Sequence, residues 1–144
     1  MIFRSIGELI EGRPLHAVGS HETILEVCRR LDGHHVGALA VLDGDELVGI
    51  ISERDVVSRV VARGRSPAET PVRSAMTPDP KTVEIGDGLA DALQAMLDGH
   101  FRHLPVMRDG RAVGMISMRD IPTEYRLMYQ RFREARQAQE AVEA

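Results

Sequence analysis

The sequence predicts an α+β fold built from two copies of one β-α-β-β-α unit. Three observations predict it: the chain matches itself, each half carries apolar residues at helical spacing, and each half has two short apolar runs around an Asp-Gly turn. Shifted by 65 residues, Val48-Gly49-Ile50-Ile51-Ser52-Glu53-Arg54-Asp55-Val56 falls on Val113-Gly114-Met115-Ile116-Ser117-Met118-Arg119-Asp120-Ile121, with six of nine positions identical. At the same offset Leu39-Ala40-Val41 falls on Leu104-Pro105-Val106, and Val18 falls on Val83. Each unit, of ~60 residues, is too small to bury a good core alone, so the two are expected to share one.

The elements follow in order. Short strands are expected around Val18 and Val83. Ile24, Val27, Cys28 and Leu31 stand at i, i+3, i+4 and i+7, one stripe of a helix with Ser20 as its expected cap, and Leu89, Ala92, Leu93 and Met96 repeat the stripe behind Asp87. Both helices are expected to end near glycine, at Gly33 and Gly99. Gly37 to Leu42, Asp43-Gly44 and Leu47 to Ile51 read as a hairpin, mirrored by Leu104 to Met107, Asp109-Gly110 and Ala112 to Ile116. Each hairpin runs into Ser-x-Arg-Asp and a second helix. In the first unit that helix carries Val56, Val57, Val60 and Val61 and stops at Gly64. The boundaries are therefore 6–64 for the first unit, 65–71 for a linker, 72–131 for the second unit and 132–144 for a tail. Pro67, Pro71, Pro78 and Pro80 make the connection between units extended, with room for one helical turn near Val72 to Met76. After Ile121, the residues Tyr125, Met128, Phe132 and Ala135 follow a heptad spacing. Two readings of that helix stand: it folds back on its own unit, or it makes a dimer contact.

Composition narrows the function. The chain of 144 residues is 43% hydrophobic and 28% charged, enough to fold around a core. No apolar run approaches the ~20 residues of a membrane span. The first residues, Met1 to Glu8, lack the order of a secretory signal, so a cytoplasmic setting is expected. With one cysteine, Cys28, neither an internal disulfide nor a multi-cysteine metal site is available. A net charge of -4 with three Phe, two Tyr and no Trp disfavours nucleic acid as a partner. His34, His35, His100 and His103 invite a metal, but no H-E-x-x-H follows His21-Glu22, and no metal is expected. Gly7 to Pro14 imitates a phosphate loop with Arg13 in place of its Lys and Pro14 in place of its Ser/Thr, and is rejected. Cys28 lies on the apolar helix face, where a small buried side chain is expected. No nucleophile is paired with a base, so no reaction is expected. Mixed charge along the tail, Arg126, Arg131, Arg133 and Arg136 among Glu124, Glu134 and Glu140, reads as a solvated face.

The chemistry gathers at Ser52 with Asp55 and Ser117 with Asp120. A carboxylate where a helix begins is a good N-cap, and both aspartates are expected to serve as one; Pro122 fits the first turn that would follow. A carboxylate also accepts both hydroxyls of a ribose diol, beside free helix N–H groups and Arg54 or Arg119 for a phosphate. Capping and sugar binding are compatible, because a carboxylate has two oxygens.

A hairpin ending in Gly, two hydrophobics, Ser, two residues and Asp, present twice, resembles the cystathionine-β-synthase (CBS) domain, whose tandem pair is called a Bateman module. Arg102-His103-Leu104-Pro105-Val106 and Met76-Thr77-Pro78 strengthen the likeness, whereas the first unit has Ile10-Glu11-Gly12-Arg13-Pro14 in place of a Met-Thr pair. The resemblance implies two units packed with pseudo-twofold symmetry through their sheets, and two non-equivalent clefts for adenosine-containing ligands. Those ligands are AMP, ADP, ATP, NAD(H) or S-adenosylmethionine. It also implies homodimerisation and a regulated partner protein. On it Thr77, Pro78, Arg102, His103 and Pro105 join Ser52, Arg54, Asp55, Ser117, Arg119 and Asp120 as expected ligand-binding residues. Two other functions compete: a ligand-free dimeric scaffold that docks a client enzyme or transporter through the tail helix, and a small enzyme acting on a nucleotide.

Overall fold

The computed structural model describes residues 5–143; Met1 to Arg4, part of the stretch read above for a signal, lie outside the described residues. The order is α1 (Ile6–Ile10), β1 (Ala17–Gly19), α2 (Ile24–His34), β2 (Ala38–Asp43), β3 (Glu46–Ser52) and α3 (Glu53–Val56), which continues as a π-helical turn, Val57–Val61. After a 3-10 turn (Val72–Ser74) come β4 (Thr77–Pro78), β5 (Val83–Glu84), α4 (Leu89–Gly99), β6 (His103–Arg108) and β7 (Arg111–Ser117). A 3-10 turn (Met118–Asp120) and α5 (Thr123–Glu143) complete the chain.

Two sheets form, in the orders β1-β2-β3-β4 and β5-β6-β7. In each, the first strand runs parallel to the second and the hairpin is antiparallel, with Ala38 opposite Ser52 and His103 opposite Ser117. The second hairpin turns through Asp109 and Gly110, both at positive φ, as a two-residue Asp-Gly loop requires. One core gathers Val18, Ile24, Val27, Leu39, Val41, Ile51 and Val60; the other gathers Val83, Leu89, Leu93, Met96, Leu104, Val106 and Ile116. The units meet where β7 packs against β2 and β3.

The segments that lead into the units cross over. Helix α1 buries Ile6, Leu9 and Ile10 in the second core, while Val72 and Ala75, which open the second unit, are buried in the first. Two glycines at matching places in the repeat make room for this. A Cβ on Gly49 would lie 2.6 Å from Met76 Sδ and 2.9 Å from the Thr77 carbonyl oxygen, and one on Gly114 would lie 2.7 Å from Ile10 Cδ1. Each sheet thus accepts the other unit's lead-in against a strand stripped of its side chain.

Several local expectations shift. Helix α2 is capped by Thr23, whose hydroxyl accepts from Glu26 N–H, while Ser20 donates to Asp43 instead. Helix α4 starts at Gly88, whose N–H donates to Asp91, while Asp87 accepts from Glu84 N–H. Both helices run past or up to their glycines and close on left-handed His35 and His100. The helix expected directly after Asp120 does not form. Ile121 is extended before Pro122, as a residue preceding proline prefers, and α5 begins afresh at Thr123. It is then one continuous helix through the 131/132 boundary. Its docked face is Tyr125 and Tyr129, half-buried on the second core, with Arg133 3.7 Å from Asp98 of α4. The helix therefore folds back, but the heptad stripe does not carry it: Met128 and Phe132 stand exposed.

The crossing gives a graded expectation. Gly49→Ala meets a backbone oxygen and should lower stability by about 1–3 kcal/mol in urea denaturation, the usual penalty for overpacking. Gly114→Ala meets only the mobile end of Ile10 and should lower it by less than about 1 kcal/mol. Equal losses would contradict this account of the lead-ins.

Candidate functional site

The two hairpins end in the same local geometry. Ser52 and Ser117 leave the sheet in extended conformation and turn the chain into a helical start, whose first N–H groups have no acceptor within the turn; Glu53 N–H donates to the Gly37 carbonyl and Met118 N–H to the Arg102 carbonyl. The serines are the N-caps, and the aspartates stand three residues later. Asp55 Oδ2 accepts from Ser52 N–H and Oγ–H, each at 3.0 Å, and Asp55 N–H donates back to Ser52 Oγ at 3.2 Å. Asp120 Oδ2 accepts from Ser117 N–H at 2.8 Å and Oγ–H at 3.2 Å. This is a capping box with Asp in the role usual for Glu, so the expectation that Asp55 and Asp120 are themselves the caps is corrected. One carboxylate oxygen serves the box in each half. The other is aimed elsewhere: Asp120 Oδ1 accepts from Arg13 Nη1 at 2.8 Å, and Asp55 Oδ1 lies 3.7 Å from Arg59 Nε.

Because β3 and β7 lie against each other, both boxes border a single cleft of about 1340 Å³. The resemblance implied two non-equivalent clefts between the units, and the two boxes mark two halves of this space. Ser52, Arg54, Asp55, Thr77, Arg102, His103, Ser117, Arg119 and Asp120 all line it. Pro78 and Pro105 do not. Pro78 is exposed in β4, and Pro105 is buried within β6. Pro105 acts on the ladder instead. In the first unit Ala40 N–H donates to the His16 carbonyl at 3.1 Å, whereas Pro105, at the matching position, has no N–H for Lys81. The second ladder accordingly starts only at Val83, and Lys81 lines the cleft.

Arg13, His16, Glu53 and Lys81 join the cleft without having been expected there. The Arg13–Asp120 bond spans 107 positions of chain, so no local spacing signals it. Apolar walls come from Val36, Ala38, Ile50 and Met115. At the centre Gly37 leaves room for two side chains: a Cβ there would sit 3.1 Å from Glu53 Oε1 and 3.2 Å from His103 Nε2. Burial, then the neighbouring Arg102, lowers the His103 pKa from the ordinary 6.5, against the opposing pull of Glu53 and Asp120. His16 stacks on His34 with ring centroids 3.9 Å apart, and burial, then the charge of His34, lowers its pKa. Burial pushes the Cys28 thiol up, away from nucleophilic use. Among the described residues, no group of three or more His, Cys, Asp or Glu side chains is placed to share a metal ion, and no helix is long and apolar enough to cross a membrane.

The family model of the CBS domain matches residues 6–62 and 72–124. This chain belongs to the CBS domain family. Its two matches make it a CBS pair, a regulatory module. It is 39% identical over 98 residues to an Arabidopsis thaliana CBS domain-containing protein, CBSCBSPB5; that match covers 67% of this chain but only 18% of the relative. A protein with CBS domains from Burkholderia ambifaria superposes with a TM-score of 0.77 at 29% identity, over 81% of this chain and 90% of the other. A CBS domain protein from Pyrobaculum aerophilum, solved in complex with AMP, gives the same TM-score at 28% identity, over 89% of this chain and 97% of the other.

His103 of the CBS cleft sets a pH dependence. Its folded pKa is below its unfolded value, so its contribution to stability is complete above about pH 6.5 and is lost as pH falls toward the folded pKa. Between about pH 7.5 and 5.5, where carboxylates stay ionised, the wild-type chain should lose stability in urea denaturation, and His103→Gln should flatten that loss. An unchanged slope in the variant would contradict the assignment.

Proposed function

We propose that this CBS pair is a sensor of adenosine-containing nucleotides (AMP, ADP, ATP, NAD(H) or S-adenosylmethionine) that binds its ligand in the cleft between the units and signals occupancy to a partner protein. One observation carries the reading: both helix-start carboxylates border one cleft with one oxygen spent on the cap, and the other oxygen of Asp55 is open to a ligand while that of Asp120 is held by Arg13. The AMP complex of the Pyrobaculum protein, with the same fold, supports the ligand class.

Each part of a nucleotide has a counterpart. The ribose diol donates to a carboxylate oxygen, a stronger acceptor than a neutral side chain offers. Phosphate oxygens are met by Arg54, Arg102, Arg119 or Lys81 around the rim, together with Thr77. Adenine lies against the apolar walls of Val36, Ala38, Ile50 and Met115 and uses backbone partners there. A ligand that touches both units favours whichever arrangement closes the cleft, so signalling is a population shift and requires no turnover. The working form is a cytoplasmic homodimer. The apolar side chains of Val57 and Val61 on the π-turn and of Met128 and Phe132 on α5, at least 57% exposed each, offer it a contact surface.

A second reading rests on that exposed surface of α5, where Leu127 is also open. In it the pair is a ligand-free dimeric scaffold and α5 docks a client enzyme or transporter.

Thermal shift against the adenosine compounds separates the two. A sensor gains stability with ligand concentration, about 2.7 kcal/mol at one hundred times Kd. Asp55→Asn keeps an oxygen for the cap but presents an amide to the sugar, and should weaken binding roughly tenfold or more, about 1.4 kcal/mol. A flat response of the wild-type chain to the whole panel would leave the scaffold.

A further inference from the structure

The two halves of the cleft differ in what already holds their carboxylate. We propose that Arg13 is a built-in occupant of the Asp120 half, so that the chain takes one nucleotide, through Asp55. This rests on the nucleotide reading above and deepens it.

The fold delivers Arg13 to that place. Helix α1 is fixed to the second unit by Ile6, Leu9 and Ile10, with Ile10 lying over Gly114 of β7. Gly12, at φ +77°, reverses the chain where a side chain would be strained, and Arg13 N–H donates to the Ile10 carbonyl at 2.9 Å. Three residues after Gly114, β7 ends at Ser117 and the box begins. The arginine therefore meets Asp120 from the opposite unit, Nη1 to Oδ1 at 2.8 Å, while Oδ2 is taken by the cap. Both oxygens of Asp120 are engaged.

At the repeat offset Arg13 falls on Pro78, which has no charge and no donor. The segment that crosses the first sheet thus brings Thr77-Pro78 and leaves Asp55 unlatched. Arg59 does not take the arginine's place. Its Nε is 3.7 Å from Asp55 Oδ1, beyond hydrogen-bond reach, and its Nη1 donates to the Met76 carbonyl at 2.9 Å and the Ala75 carbonyl at 3.3 Å. A sugar hydroxyl approaching Asp55 finds an oxygen with no hydrogen bond among the described residues. One approaching Asp120 must displace a guanidinium whose charge-assisted bond is roughly twice as strong as a neutral one. The first half wins on that difference.

Calorimetric titration with AMP tests this on the full chain. The expected result is one AMP per chain for the wild type, two for Arg13→Ala and one again for the double variant Arg13→Ala/Asp120→Asn. Asp55→Asn should lose the wild-type event, and circular dichroism melts check that each variant folds. Two AMP per wild-type chain would overturn the inference and leave the sensor reading intact, as would an Arg13→Ala variant that still binds one or loses binding altogether. No binding of AMP to either wild type or Arg13→Ala would overturn the inference, and a flat response of both to the other adenosine compounds as well would overturn the sensor reading with it.

Discussion

A chain that passes from a strand into a helical turn exposes backbone N–H groups that must find acceptors, and here it does so twice at the floor of one cleft. In each half the aspartate three residues after the serine accepts the serine's N–H and hydroxyl with a single carboxylate oxygen, and in the first half Ser52 Oγ accepts from Asp55 N–H. The spare oxygen follows from the geometry of the box: its partner is held against the cap, so it points away from the turn. The cleft's polar chemistry depends on these two oxygens. What differs between them is the cation that reaches each, and that difference comes from elsewhere in the chain.

The crossing of the lead-in segments supplies it. Because α1 is buried in the second core, and Val72 and Ala75 in the first, neither unit is complete without chain from the other. Gly49 and Gly114 permit the crossing by letting Met76 and Ile10 rest on bare backbone. The same segments then border the cleft, with Arg13 on one side and Thr77 on the other. Each segment thus ties the border of the cleft to the core of the opposite unit.

The repeat made the hairpins and the pairing of Ser52 with Asp55 and of Ser117 with Asp120 legible, because each depends on residues close in sequence. Helix starts were read one to three positions off. Thr23 and Gly88 displaced Ser20 and Asp87, and the serines displaced Asp55 and Asp120, since several small polar residues stood near each start and only the path of the chain selects among them. Pro122 looked compatible with a first helical turn but left Ile121 extended. The heptad spacing in α5 was present, yet only Tyr125 of that series docks, joined by Tyr129 one turn on, while Met128 and Phe132 stand exposed. Arg13 carried no local sign of its role: its partner is on the far unit, and its neighbours looked like a failed phosphate loop.

The measurement that tests the account most directly is a crystal structure of the full chain grown with AMP. The account predicts ribose hydroxyls within hydrogen-bond distance of Asp55 Oδ1, with Ser52 still capped by Oδ2 and Arg13 still on Asp120. A nucleotide seated away from both carboxylates, or a cleft that stays empty at saturating AMP, would contradict it.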